Sequence, residues 1–225
     1  MPEQPTLIGQ YDSPFVRRVA VALRRYEIAY QHRPWSVWSD AEQVARHNPL
    51  RRVPTLLLDD GTALVDSTAI LETLDEQVGP DRALLPRSGP RRREGLQLCA
   101  LACGLGDKAV SLFYEPLLRE APSQVWIDRC RRQIADTLDV LEADRRRRTT
   151  PAWLGDSLGH VDIAVACVLR FTTEAHPDLF DARRWPLLAA HAAGCEALED
   201  FRAVSQPLTV SPGASAGSGR REDPA

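Results

Sequence analysis

Short apolar runs alternate with amphipathic stretches over residues 6–78, and beyond residue 90 only helical periodicity remains. This change of period is the strongest constraint on the fold, because a strand repeats every two residues and a helix every 3.6. The first part predicts a strand over 6–8, a helix from Pro14, a strand over 28–32, and a short helix capped by Asp40 that Asn48-Pro49 stops. A strand over 55–58, the hairpin signal Asp60-Gly61, a return strand over 63–65 and a helix from Ser67 to about Val78 follow. After a Pro/Gly-rich linker, helices are expected over 91–118, 123–148, 161–171 and 185–201. The domain reading is therefore α/β over 1–80, linker over 81–90, all-α over 91–206, and a Pro/Ser/Gly/Arg tail over 207–225 read as disordered.

Two junctions carry chemistry. At Tyr11-Asp12-Ser13-Pro14-Phe15, a strand ends and a helix N-terminus points its free N–H groups into the gap. Ser13 reads either as an N-cap, with Pro14 favourable behind it, or as a hydroxyl beside a helix dipole that donates to an anion such as a thiolate. At Asp66-Ser67 a second helix begins, again with a capping reading and an anion-binding reading for Ser67. Pro54 directly precedes a core strand, which fits either a trans proline at the first strand position or a cis bond exposing the Val53 backbone.

Composition narrows the class. The 225 residues carry a formal net charge of −3, and 44% are hydrophobic and 26% charged, which is ordinary for a soluble globular protein and argues against a general nucleic-acid binder. No apolar run reads as long enough for a bilayer and Met1-Pro2-Glu3-Gln4-Pro5 lacks a signal-peptide pattern, so no membrane association and a cytoplasmic location are expected. Cys99, Cys103, Cys130, Cys167 and Cys195 are odd in number and dispersed, without Cys-x-x-Cys or paired histidines. They read as buried free thiols, and no metal is expected.

The order of elements resembles the cytosolic glutathione S-transferase family over residues 6–206. Four segments carry the resemblance: Tyr11-Asp12-Ser13-Pro14-Phe15-Val16-Arg17-Arg18-Val19, similar to the first motif of bacterial serine-type members; Asn48-Pro49-Leu50-Arg51-Arg52-Val53-Pro54-Thr55-Leu56; Asp66-Ser67-Thr68-Ala69-Ile70-Leu71; and Gly159-His160-Val161-Asp162-Ile163-Ala164. The resemblance implies a thioredoxin-like domain followed by an all-helical one, glutathione as co-substrate, and a homodimer. It implies that Ser13 donates to the glutathione sulfur and that the Val53 backbone, held open by cis-Pro54, pairs with the cysteinyl backbone of glutathione. It also implies that Asp66 and Ser67 bind the γ-glutamyl end, and that Phe15 and Arg52, inside the matching segments, border the same site. The family usually has Ser or Thr where Gly159 stands, although a Gly cap costs only a few tenths of a kcal/mol. Arg51 stands where glycine is common, and Tyr11 remains a second hydroxyl near the sulfur. Asp107, Ser111 and Tyr114, at steps of four and three on the first long helix, either line the pocket of a small electrophile or form a polar stripe facing solvent or the domain boundary. Three functions stay open: conjugation of glutathione to an electrophile, glutathione-dependent peroxide reduction at the same site, and a non-catalytic interaction module of this fold.

Overall fold

The computed structural model describes residues 4–209. Four short strands form one mixed sheet: β1 (Thr6–Ile8), β2 (Gln31–Arg33), β3 (Thr55–Leu57) and β4 (Ala63–Val65), in the order β2-β1-β3-β4. β1 runs parallel to β2 and antiparallel to β3, with Leu7 opposite Leu56, and β3 and β4 close the hairpin. Helices α1 (Pro14–Arg25), α2 (Ala41–Ala45) and α3 (Ser67–Val78) complete this half. The second half is helical: α4 (Gly89–Leu118), α5 (Gln124–Arg146), α6 (His160–Ala175), α7 (Pro186–Glu196) and α8 (Glu199–Arg202).

The departures from the sequence reading have local causes. β2 starts three residues later than expected, because Glu27 adopts a left-handed φ of 58° and the N–H of Ile28 folds back onto the carbonyl of Leu23. Asp40 precedes α2 without capping it through its side chain; its carboxylate instead accepts from the N–H of Ser36 and the hydroxyl of Ser39. The helix expected over 185–201 is broken at Leu198, whose extended backbone starts α8 and turns Phe201 into the core of the sheet half. The tail expected to be disordered is held over 207–209, where Leu208 donates to Glu174 and Thr209 to Asp12; residues 210–225 lie outside the described residues. α4 is, by length and composition, long and apolar enough to cross a bilayer, contrary to the sequence reading; in this fold its apolar residues pack on α5 and α6.

Two cores share helix α6. One face of it, with Ile163, Ala166 and Cys167, joins α1, β1, β3 and α3; the other, with Ala164, Val165 and Val168, packs on α4 in a core that also takes in residues of α5 and α7. An amphipathic helix has one apolar stripe, whereas α6 is apolar nearly all round, as a helix between two cores must be. Arg17 reinforces the join. It is 2% exposed and forks onto Glu196 at 2.5 and 2.6 Å, while donating to the carbonyls of Phe201 and Val204. The start of α6 is equally constrained. A Cβ on Gly159 would lie 2.6 Å from the carbonyl oxygen of Leu84, which already accepts from the N–H of His160 at 3.1 Å. Glycine thus replaces the usual Ser or Thr because the linker backbone occupies the space.

A buried polar knot ties α3, the linker and α6 together. Asp75 accepts from the hydroxyl of Tyr26 and, at 2.8 Å, from the N–H of Leu84; His160 Nε2 lies 3.1 Å from its other oxygen. Burial pushes the imidazolium of His160 below its ordinary range in spite of Asp75. Desolvation opposes ionisation of Asp75, but its donors hold the carboxyl below the usual carboxylate range. Both groups bind fewer protons folded than unfolded, so stability rises with pH where they titrate. Loss should begin as pH falls through about 6.5, where unfolded-chain histidines protonate, and continue through the carboxylate range near 4. His176 and His191 are also held neutral by burial and add to the first step. Each such histidine contributes a slope of at most ~1.4 kcal/mol per pH unit. Denaturant melts between pH 5 and 7 should show a shallower slope for His160→Gln than for the parent; equal slopes would refute this assignment.

Candidate active site

Two adjoining cavities lie where the sheet half meets α4. The first, of about 190 Å³, is lined by Ser13, Phe15, Trp38, Arg52, Val53, Val110, Phe113, Tyr114, Phe171 and Leu208 among others. The second, of about 110 Å³, is lined by Val53, Pro54, Asp66, Ser67, Cys103 and Asp107, and shares Phe15, Arg52 and Val53 with the first. Val53 therefore stands between an aromatic pocket and a polar one.

The strand ends and helix starts explain the arrangement. Gly9, at φ +126°, lets the end of β1 pass against α1 and the 53–54 turn; a Cβ there would fall 2.5 Å from Val16 and 2.7 Å from Val53. The chain then turns into α1 at Ser13, whose Oγ accepts from the N–H of Val16 at 3.4 Å. That cap is long for a hydrogen bond and uses only a lone pair. The hydroxyl proton is left to donate into the first cavity, so capping and donation coexist at Ser13. The Val53–Pro54 bond is cis, and neither the N–H nor the C=O of Val53 is hydrogen-bonded to another described residue.

Asp66, not Ser67, is the N-cap of α3: its carboxylate accepts from the N–H of Thr68 at 2.7 Å. Its φ of 71° is in the left-handed region, uncommon for a residue with a side chain, and backbone held this way clusters at functional sites. Ser67, 4% exposed, is the first helical residue, and its Oγ accepts from Arg18 Nη1 at 3.3 Å. The second cavity thus offers an exposed carboxylate, a buried hydroxyl, a helix N-terminus and a buried guanidinium behind it. That set complements a group carrying both ammonium and carboxylate.

Along α4, Cys103, Asp107, Val110 and Tyr114 form one stripe of roughly 16 Å from the polar cavity to the aromatic one. Tyr114 lines the first cavity and packs on Trp38, with ring centroids 5.3 Å apart. Asp107 lies instead in the polar cavity, 3.4 Å from Arg52, so it does not border the aromatic pocket. Ser111 lines neither cavity. It is rotated roughly 100° from Val110 along the helix, and its hydroxyl donates back to the carbonyl of Asp107 at 2.7 Å.

Tyr11 is not part of the first cavity either. Its hydroxyl lies 2.7 Å from that of Tyr30 and its ring stacks on His32 at 3.9 Å. Burial and the Tyr30 hydrogen bond raise its pKa above the ordinary phenol value. Arg51, where glycine is common, takes the left-handed φ of 52° that a glycine would favour, and pairs with Glu42 at 2.6 Å. Sequence reasoning missed Trp38, Val110, Phe113, Phe171 and Leu208 as cavity walls. Only the spacing of Val110, Phe113 and Tyr114 could have flagged them, since Phe171 and Leu208 arrive from distant parts of the chain. No group of three or more potential metal ligands occurs among the described residues.

A mixed four-stranded sheet with a cis-proline turn, fused to an all-helical domain, places the chain in a class of two-domain proteins with a thioredoxin-like first domain. Comparison with known proteins gives the family. Residues 7–82 match the glutathione S-transferase N-terminal domain and residues 124–194 the glutathione S-transferase C-terminal domain. The chain belongs to the glutathione S-transferase family, with its thioredoxin-like plus all-helical fold. It is 30% identical over 167 residues to the uncharacterized GST-like protein YibF of Escherichia coli K12, covering 73% of this chain and 80% of that one. It is 24% identical to glutathione transferase GST 23 of Zea mays, covering 71% and 68%. Among solved structures, a glutathione S-transferase of Methylobacillus flagellatus with glutathione bound superposes with a TM-score of 0.82 at 28% identity, covering 91% of this chain and 100% of that one. One of Methylobacterium radiotolerans in complex with glutathione sulfonate gives 0.84 at 29%, covering 92% and 99%. Membership and these glutathione-bound neighbours support glutathione binding and transferase-type function in general.

Proposed function

We propose that the protein is a glutathione transferase that binds glutathione across the two cavities, stabilises its thiolate at Ser13, and conjugates it to a small hydrophobic electrophile. The observation that carries this reading is the aromatic cavity opening directly on Ser13 and sharing Val53 with the polar cavity of Asp66 and Ser67. In it, the γ-glutamyl ammonium faces Asp66, its carboxylate faces Ser67 and the amides of α3, and the unpaired Val53 backbone pairs with the cysteinyl residue. Phe113, Phe171, Tyr114, Trp38 and Leu208 form the electrophile wall, which is apolar apart from the rim.

The electrostatics suffice for the chemistry. A free thiol of pKa ~8.5 is only a few per cent ionised at pH 7, and lowering it by ~2 units takes about 2.7 kcal/mol. A hydroxyl donating to a charged sulfur contributes about 1.5–3 kcal/mol, and the N-terminus of α1 adds about 0.3–1 kcal/mol. Glutathione held at a hundred times its dissociation constant should stabilise the fold by about 2.7 kcal/mol, read as a rise in melting temperature. The absence of a shift at millimolar glutathione would remove the proposal. A panel of electrophiles and hydroperoxides assayed with glutathione then separates conjugation from peroxide reduction.

The same reading makes the protein a homodimer, as the resemblance implies. Leu50 in the sheet half and Leu117, Leu118 and Val125 at the α4–α5 turn are large apolar side chains left between 47% and 82% exposed, surface that such an association would cover. Sedimentation at micromolar concentration should give twice the 25.0 kDa chain mass; a monomer alone would refute it.

A further inference from the structure

All five cysteines are free, and four are sealed in the cores at 7% exposure or less. Cys103 differs. It lines the polar cavity beside Asp66, Ser67 and Asp107, and is only partly buried. Behind it stands Arg18, 2% exposed, with no ion-pair partner among the described residues and an unpartnered Nε. Its Nη1 donates to Cys103 Sγ at 2.7 Å and to Ser67 Oγ at 3.3 Å. A buried guanidinium without a counter-ion is costly, and the cost falls when negative charge gathers at the groups it points to. Of those two groups, the thiol is by far the more acidic.

We propose that Cys103 is an oxidation and S-thiolation site on the floor of the polar cavity, and that its modification closes that cavity to glutathione. The inference rests on the reading of that cavity as the glutathione site. The Cys103 thiolate attacks the distal oxygen of a hydroperoxide, the O–O bond breaks, and the leaving alkoxide takes a proton to give an alcohol. Sulfur is oxidised to a sulfenic acid, which Arg18 can hold as the sulfenate. Glutathione then condenses with it, forming the S–S bond and releasing water, and a second glutathione restores the thiol and leaves glutathione disulfide. Burial raises the Cys103 thiol above its ordinary value and Arg18 opposes that, so the rate follows a small thiolate fraction. A tripeptide joined by a disulfide to Cys103 occupies part of the polar cavity of about 110 Å³, the space that the γ-glutamyl end of a second glutathione would need.

The full chain should be treated with hydrogen peroxide and then glutathione, and its cysteines mapped by peptide mass spectrometry. Thermal stabilisation by S-methylglutathione, which cannot reduce a disulfide, is measured before and after. One glutathione adduct on Cys103, loss of that stabilisation, and its return with dithiothreitol are expected. Cys103→Ser should form no adduct, and whatever stabilisation it shows should be the same before and after treatment. An adduct on another cysteine, a Cys99–Cys103 disulfide, no adduct where denatured protein forms one, or a Cys103 adduct with stabilisation intact would overturn the proposal. Untreated protein that S-methylglutathione does not stabilise overturns the glutathione-site reading and closure with it, while the mass map still decides whether Cys103 is the modified residue.

Discussion

Ser13→Ala will lower the conjugation rate at neutral pH by about tenfold to a few hundredfold, the ~1.5–3 kcal/mol of a hydrogen bond to a charged group. It will leave glutathione affinity nearly unchanged. Asp66, Ser67 and the Val53 backbone, which are proposed to hold the peptide, make no hydrogen bond to Ser13. The hydroxyl acts on the sulfur, and most strongly once the sulfur is charged, so the pH–rate profile should shift to higher pH. Because the cap onto Val16 spans 3.4 Å, the stability cost should be about 0.5 kcal/mol, at the low end for a serine cap. Tyr11→Phe is the control: its hydroxyl is engaged with Tyr30 outside the aromatic cavity, so its profile should match the parent. An unshifted profile in Ser13→Ala, or a shifted one in Tyr11→Phe, would reject the assignment of Ser13 as the thiolate donor.

Asp162→Ala will destabilise the fold by about 3–5 kcal/mol. Asp162 is 1% exposed, and its two oxygens accept from the N–H groups of Trp153 and Gly159, both at 2.9 Å. Removing the carboxylate orphans two donors at about 1–3 kcal/mol each and strips the first turn of α6 of its acidic group. Gly159 cannot compensate, since it has no side chain and Leu84 leaves no space for one. At roughly 2–4 °C per kcal/mol for a chain of this size, the melting temperature should fall by about 10 °C. Asp162→Asn keeps one acceptor and should lose about half as much. A loss below 1 kcal/mol for the alanine variant would show that the start of α6 is held by other means.

The loss is expected to be large because α6 is a wall of both cores. Ile163 and Cys167 belong to the sheet half, Val165 and Val168 to the helical half. Fraying its first turn therefore disturbs Phe171 in the aromatic cavity and Ala166 against α1 together.

Local sequence was sufficient where local physics decides. The hairpin at Asp60-Gly61, the helix starts at Pro14 and Ser67, and the shift to helical period past residue 90 follow from backbone preference and hydrophobic spacing. The four segments quoted above were enough to give the family. Where a residue's conformation depends on a distant neighbour, sequence was silent. The Leu198 break answers such a contact, placing Phe201 in the core of the sheet half, whereas Glu27 in the left-handed region and Asp40 turned onto Ser36 are departures made within a few residues by turns that hydrophobic spacing does not record. Ser111 and Asp107 share a helix with Tyr114, yet only their rotation and the approach of Arg52 and Ser67 decide which cavity each meets, if either.

By itself, then, the sequence determined the element types, the two-part organisation and the residues at the two helix starts, because those depend on interactions within a few residues. Tertiary structure alone decided that Gly159 must be glycine, that Tyr11 turns to Tyr30 and away from the cavity that Ser13 lines, and that Arg18 sits without a counter-ion among the described residues behind Ser67 and Cys103. Each of these depends on packing between segments from 19 to 85 residues apart in the chain, where burial and close approach set the energy and no local pattern records it.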